Sequence, residues 1–180
     1  MDNSALEHRE EVKILIKLQF KRVKWPKQIK IAPIQNKKYG TYLIIENIGD
    51  KPLLKAKITD IKINSAETTQ LGHEITDQFF VSEINPNESI EIQIDKSFST
   101  SLSGHVWVYL NINPIDQNQI IRCFQEKDGL PTANLWRNII VIQNAHERQQ
   151  RRTNFLLLLL TIITTIAAVF DIISFFKKSQ

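Results

Sequence analysis

A single cysteine, Cys123, stands in 180 residues, so no intrachain disulfide can form. Its thiol reads as a small buried hydrophobe on a strand. Glycine is scarce at five residues, too few to build several phosphate-cradling loops. His8, His73, His105 and His146 are scattered with no H-E-x-x-H or C-x-x-C spacing, which excludes the familiar metal motifs, and His73-Glu74 reads as a solvated loop. Ser101, Ser103 and His105 lie close in sequence without a G-x-S-x-G elbow or a placed acid. Asp116-Gln117-Asn118 lacks the glycine and final glutamate of a calcium loop. The expectation is a non-enzyme, with no catalytic constellation, no cofactor and no metal.

Acidic residues are missing altogether from Val12 to Lys38. Lys13, Lys17, Lys21, Arg22, Lys24, Lys27, Lys30, Lys37 and Lys38 fall in that stretch, so it carries the formal +4 of the chain and leaves the remainder slightly acidic. Three readings of this basic surface (Lys13, Lys17, Lys21, Arg22, Lys24, Lys27 and Lys30) stay open. It is an edge strand blunted by lysines, a face for anionic headgroups, or a contact for nucleic acid or an acidic protein around Trp25. Nucleic acid is the weaker partner. Also missing is a secretory leader: Met1 to Glu11 is polar and acidic, and Val12 to Phe20 is interrupted by Lys13 and Lys17.

What is present is a period of two. Apart from Leu15, Ile14, Ile16, Leu18 and Phe20 alternate with polar residues, as do Leu54, Ala56 and Ile58. The apolar set then changes phase to Ile61 and Ile63, which predicts a bulge near Asp60. Ile90, Ile92 and Ile94, then Val106, Val108, Leu110 and Ile112, alternate cleanly, and further strands are expected at Tyr42–Ile45, Phe79–Val81, Ile120–Phe124 and Trp136–Ile142. Isoleucine and valine dominate these runs and suit a pleated surface. Turn chemistry lies between them at Asn47 to Pro52, Asn85-Pro86-Asn87, Asn113-Pro114 and Asp128 to Pro131. The expected fold is an all-β immunoglobulin-like sandwich of seven to eight antiparallel strands, with no helix before residue 143.

Glu46-Asn47-Ile48-Gly49-Asp50-Lys51-Pro52, the strand after it, and the turn Asn85-Pro86-Asn87-Glu88-Ser89 opening Ile90-Glu91-Ile92 resemble immunoglobulin-like modules of the CARDB type over about residues 38–125. Asn87 departs from that pattern, standing where such modules often carry glycine. The resemblance implies a binding or spacer module, usually extracytoplasmic, and carries over no catalytic residue.

The longest apolar run is Phe155 to Phe176, which as a helix spans about 33 Å against a hydrocarbon core of about 30 Å. It reads as a single C-terminal transmembrane helix, with Arg148, Arg151, Arg152, Lys177 and Lys178 as interfacial anchors. Thr161, Thr164, Ala168 and Asp171 share one face and form a candidate association seam for a homo-oligomer or partner helix. Alternatively, Asp171 reaches headgroup water or pairs with Lys177 or Lys178.

The expected organisation is a polar tail (1–11), the sandwich (12–144), a basic stalk (145–154), the span (155–176) and a short tail (177–180). The missing leader places the N-terminal domain on the cytoplasmic side with a translocated tail, a tail-anchored arrangement. The C-terminal Lys177-Lys178-Ser179-Gln180 and the Asn87-Glu88-Ser89 sequon point the other way. The expected function is a binding or adaptor module held at the lipid bilayer for an unknown protein partner, with contact by end loops at Ile48–Pro52 and Asn113–Gln119 or by strand edges. The alternative is a membrane-perturbing effector assembled through the helix.

Overall fold

The computed structural model describes residues 9–22, 32–68, 71–126 and 129–178. The side chains of 172 and 175–178 are not among those described. The chain divides into two compact units, Met1–Gln143 and Asn144–Gln180.

The first unit is all-β. Its strands are β1 (Glu10–Arg22), β2 (Tyr39–Asn47), β3 (Ala56–Ser65), β4 (Leu71–Ile75), β5 (Phe79–Val81), β6 (Ser89–Phe98), β7 (Gly104–Pro114), β8 (Gln119–Phe124), β9 (Thr132–Ala133) and β10 (Leu135–Ile142). They form two sheets, ordered β6-β2-β1-β8-β9 and β10-β7-β3-β4, with β5 paired to β3. Both sheets turn one alternating set of side chains into a shared core. Val12, Ile14 and Ile16 of β1 and Leu43 and Ile45 of β2 join Val106, Val108, Leu110 and Ile112 of β7, Ile58, Ile61 and Ile63 of β3, and Trp136 of β10. This is the expected sandwich, built where the period of two put it.

The strand inventory differs from expectation in particulars. Ten strands form among the described residues, because β4 and β9 are too short to show a period. β1 and β8 pair in parallel, with Val12 opposite Ile121 and Ile14 opposite Cys123. The chain enters β8 from the other sheet, and alternation reports which face a side chain takes without reporting strand direction. Glu10 and Glu11 belong to β1 and not to a polar tail. His73 lies on β4 opposite Ile63, correcting its reading as a loop residue.

The bulge forms where the apolar phase changes. The β3–β7 register shifts between Thr59 and Lys62, and Asp60 takes a left-handed φ of 56°. Its carboxylate accepts from Thr59 Oγ1 and Asn111 Nδ2, each at 2.9 Å. These bonds, first that from Asn111, hold its pKa below the usual carboxylate value. Ile58 and Ile61 thereby both point inward despite their odd spacing. Asn87, at φ 65°, occupies the conformation that glycine adopts most easily and that asparagine tolerates, which accounts for Asn at that turn.

Candidate functional site

Three regions answer to the residues singled out in the sequence: the basic strand, the two ends of the sandwich, and the apolar helix.

The basic strand β1 lies between β2 and β8, but β8 pairs only with Glu10 to Leu15. Lys13 is therefore central in the sheet, while Lys17, Lys21 and Arg22 lie where β1 pairs with β2 alone among the described residues. Lys13, Lys17 and Lys21 line the solvent face, where acids on neighbouring strands meet two of them. Lys17 Nζ lies 3.2 Å from Glu46, and Lys21 Nζ lies 2.6 Å from Glu91 and 4.2 Å from the Tyr42 ring centroid. Such half-exposed pairs are worth up to about 1 kcal/mol each and serve mainly strand register. Two of the seven residues expected to form the basic surface, Lys17 and Lys21, therefore belong to a cross-strand charge ladder. Arg22, at the end of β1, is exposed. Lys24, Lys27 and Lys30 lie outside the described residues.

At one end of the sandwich the loops 48–55, 85–88 and 113–119 are drawn together. Asn47, fully buried, donates from Nδ2 to the carbonyls of Lys51 (2.8 Å) and Ile84 (2.9 Å) and accepts from Gly49 N–H at 3.0 Å. Its backbone joins the 85–88 turn through Glu88 O and Asn87 N–H. Gln119, also buried, accepts from Leu54 N–H and donates to Pro52 O, and Ile115 N–H donates to Lys55 O. The two loops expected to contact a partner, Ile48–Pro52 and Asn113–Gln119, thus form one continuous platform. The sequence showed the turns; it did not show that Asn47 and Gln119 spend their side chains on buried backbone. Asn134 acts similarly where the chain changes sheets, accepting at its carbonyl from Ile112 and donating its N–H to Ile121.

At the other end, Phe20, Tyr39, Phe98 and His73 close the core. Phe20 and Phe98 ring centroids are 5.3 Å apart, and His73 meets Phe98 edge-on at 5.2 Å. His73 Nε2 lies 2.9 Å from Asp95 Oδ2, joining edge strand β4 to edge strand β6 beside an open groove of about 460 Å³. Among the described residues no three His, Cys, Asp or Glu side chains gather as a metal site.

Cys123 faces the core at 2% exposure, and burial pushes its thiol up to about 12. At pH 8 a thiol reagent should therefore label Cys123 only upon unfolding, which mass spectrometry in native buffer and in denaturant will check. Prompt labelling of the native protein would contradict the packing described here.

The second unit is one helix, α1 (Ala145–Lys178), of 34 residues. Asn144 caps it, its Oδ1 accepting from His146 N–H at 2.8 Å, and Glu147 sits in the first turn, favourably placed for the helix dipole. Good helix formers from Glu147 to Arg152 carry it into Phe155 without a break. It is long and apolar enough to cross a membrane, the one such helix among the described residues. Leu156 to Leu160 cover a full turn, and with Ile162, Ile163, Ile166, Val169, Phe170 and Ile173 they stay exposed. An exposed apolar surface on every side is untenable in water and ordinary in lipid.

Arg148, Arg151 and Arg152 are exposed on the turns before Phe155. The side chains of Lys177 and Lys178 lie outside the described residues. Thr161, Thr164, Ala168 and Asp171 are all exposed and share a face, as expected from their spacing. The threonine hydroxyls, however, donate within the helix: Thr161 to Leu157 O at 2.9 Å, Thr164 to Leu160 O at 3.1 Å, and Thr165 to Thr161 O at 2.8 Å. Such back-bonded hydroxyls require no partner helix. Asp171 is the charged group of the stripe, and among the described residues its carboxylate makes no hydrogen bond or ion pair.

No family model and no curated protein sequence matches this chain. Among solved structures, the chain is similar to a CARDB domain from Pyrococcus furiosus, crystallised in complex with di-metal ions. The identity is 11% and the TM-score 0.40, covering 79% of this chain and 97% of that one. The module type is the one that the Asn47–Pro52 loop and the Asn85–Ser89 turn resemble.

Proposed function

We propose that this protein is a single-pass, tail-anchored membrane protein whose β-sandwich is a non-catalytic binding or adaptor module. The observation that carries the reading is the exposed, predominantly apolar surface of α1 from Phe155 to Ile173, joined in sequence to a sandwich with its own closed core. The fixed polar side chains of the sandwich support a non-catalytic role, since Asn47 and Gln119 are committed to backbone partners. The loop platform 48–55 and 113–119 is the surface offered to a protein partner.

A second reading, a membrane-perturbing effector assembled through α1, rests on Asp171, a carboxylate on an otherwise apolar helix surface. Dye leakage from cells or vesicles carrying the full chain separates the two. The adaptor reading expects membranes to stay sealed and Asp171→Leu to change neither leakage nor oligomer size in mild detergent. Leakage abolished by Asp171→Leu would establish the effector instead.

A further inference from the structure

The sandwich is electrically polar along its strands, and the chain leaves it at the basic end. Arg22 pairs with Tyr39, Tyr39 with Phe98, and Ile142 with Gly104, so the end of β1, the start of β2, the end of β6, the start of β7 and the end of β10 lie at one level. The connection between β1 and β2 is tied there to the last residue of the unit: Gln35 N–H donates to Gln143 O, and Gln143 N–H to Pro33 O, both at 2.9 Å. Arg22, Lys37, Lys38 and Lys96 are exposed at this end, and among the described residues none is in an ion pair. Among the described residues the acids at this end include Glu67, in the turn after β3, and Asp95, which is paired with His73. At the opposite end six acids (Glu10, Glu11, Asp50, Glu83, Glu88 and Asp116) stand against five cations (Arg9, Lys13, Lys51, Lys55 and Arg122). Two of those cations are already paired, Lys51 with Glu10 and Arg122 with Glu11, so that end is close to neutral.

From this juxtaposition we infer that the chain-exit end of the sandwich is a docking surface for anionic lipid headgroups, with Arg22, Lys37, Lys38 and Lys96 as its contacts. The inference rests on the reading of α1 as a membrane anchor. Given the anchor, the end nearest α1 along the chain meets the bilayer at high effective concentration. Four cations there, none in an ion pair among the described residues, are attracted to an anionic surface, and the nearly neutral opposite end offers no comparable attraction. The charge distribution thus orients the domain, with the loop platform 48–55 and 113–119 facing away from the lipid toward a partner.

The test uses the full chain reconstituted into sealed vesicles of phosphatidylcholine alone or of phosphatidylcholine with phosphatidylserine. Flotation reports the anchor, and a membrane-impermeant amine reagent read by mass spectrometry reports headgroup contact. On the anionic vesicles labelling of Lys37, Lys38 and Lys96 should slow about fivefold, the change that about 1 kcal/mol per cation corresponds to, and high salt should restore it. Lys55, at the far end, should label equally on both. The variant R22E/K37E/K38E, altered at exposed positions only, should lose the protection of Lys96 while still floating.

Equal labelling on both vesicles, with flotation intact, overturns the headgroup surface and leaves the anchor standing. A chain that floats with neither vesicle overturns the anchor and this inference with it. Protection given by an added oligonucleotide duplex on neutral vesicles, and not by anionic lipid, overturns it in favour of nucleic acid.

Discussion

A chain carrying Ile163→Arg and Ile166→Arg together fails to enter the membrane. Both residues are exposed near the middle of the apolar run. On insertion scales each exchange replaces about −0.5 kcal/mol with about +3 kcal/mol, so the pair shifts the balance by about 7 kcal/mol, or about five powers of ten in partition. The exposed apolar side chains from Phe155 to Ile173 together supply only about 5 kcal/mol on the same scale, so the double substitution exceeds what the span provides. One arginine would not, because its cost of about 3 to 4 kcal/mol falls short of that sum. The expected result is a double variant in the soluble or aggregated fraction, with I163A/I166A retained in membranes as the control. Since the sandwich core is formed within residues up to 143, both variants should keep its protease resistance.

Asn47→Ala destabilises the sandwich by about 3 kcal/mol. The side chain is fully buried and makes three hydrogen bonds to backbone groups of two loops. Truncation strands the Lys51 and Ile84 carbonyls and the Gly49 N–H, at about 1 kcal/mol or more each. Asn47→Asp should be at least as damaging, since it keeps the acceptor for Gly49, loses both donations and buries a charge beside two carbonyl oxygens. Urea unfolding followed by tryptophan fluorescence will measure both. Membrane retention should be unaffected. A loss under about 0.5 kcal/mol would mean that the loop is held by something other than Asn47, and would return it to consideration as a ligand-binding element.

The long apolar helix, the phase change at Asp60 and the long strands were legible because each depends on the local pattern of apolar residues. Val106 to Ile112 alternates in sequence and in burial. The partnering of charges was not legible. Lys17 and Lys21 sit in a stretch without acids, and their counterions come from β2 and β6, 29 and 70 residues away. The parallel β1–β8 pair was hidden for the same reason, since strand direction is set by long-range topology. Asn47 announced a turn but not its own burial. For Thr161 and Thr164 the spacing gave the shared face correctly, while the donation of their hydroxyls to Leu157 and Leu160 depends on rotamers that spacing does not specify.

The central claim is that α1 holds the sandwich in a bilayer, and extraction of membranes from cells expressing the full chain tests it most directly. The chain should remain in the membrane pellet after high salt and after alkaline carbonate, leave it only with detergent, and be wholly soluble when truncated after Asn154. Release of the intact chain by carbonate would contradict the account, because it would make α1 a surface for another protein and not a segment that crosses lipid.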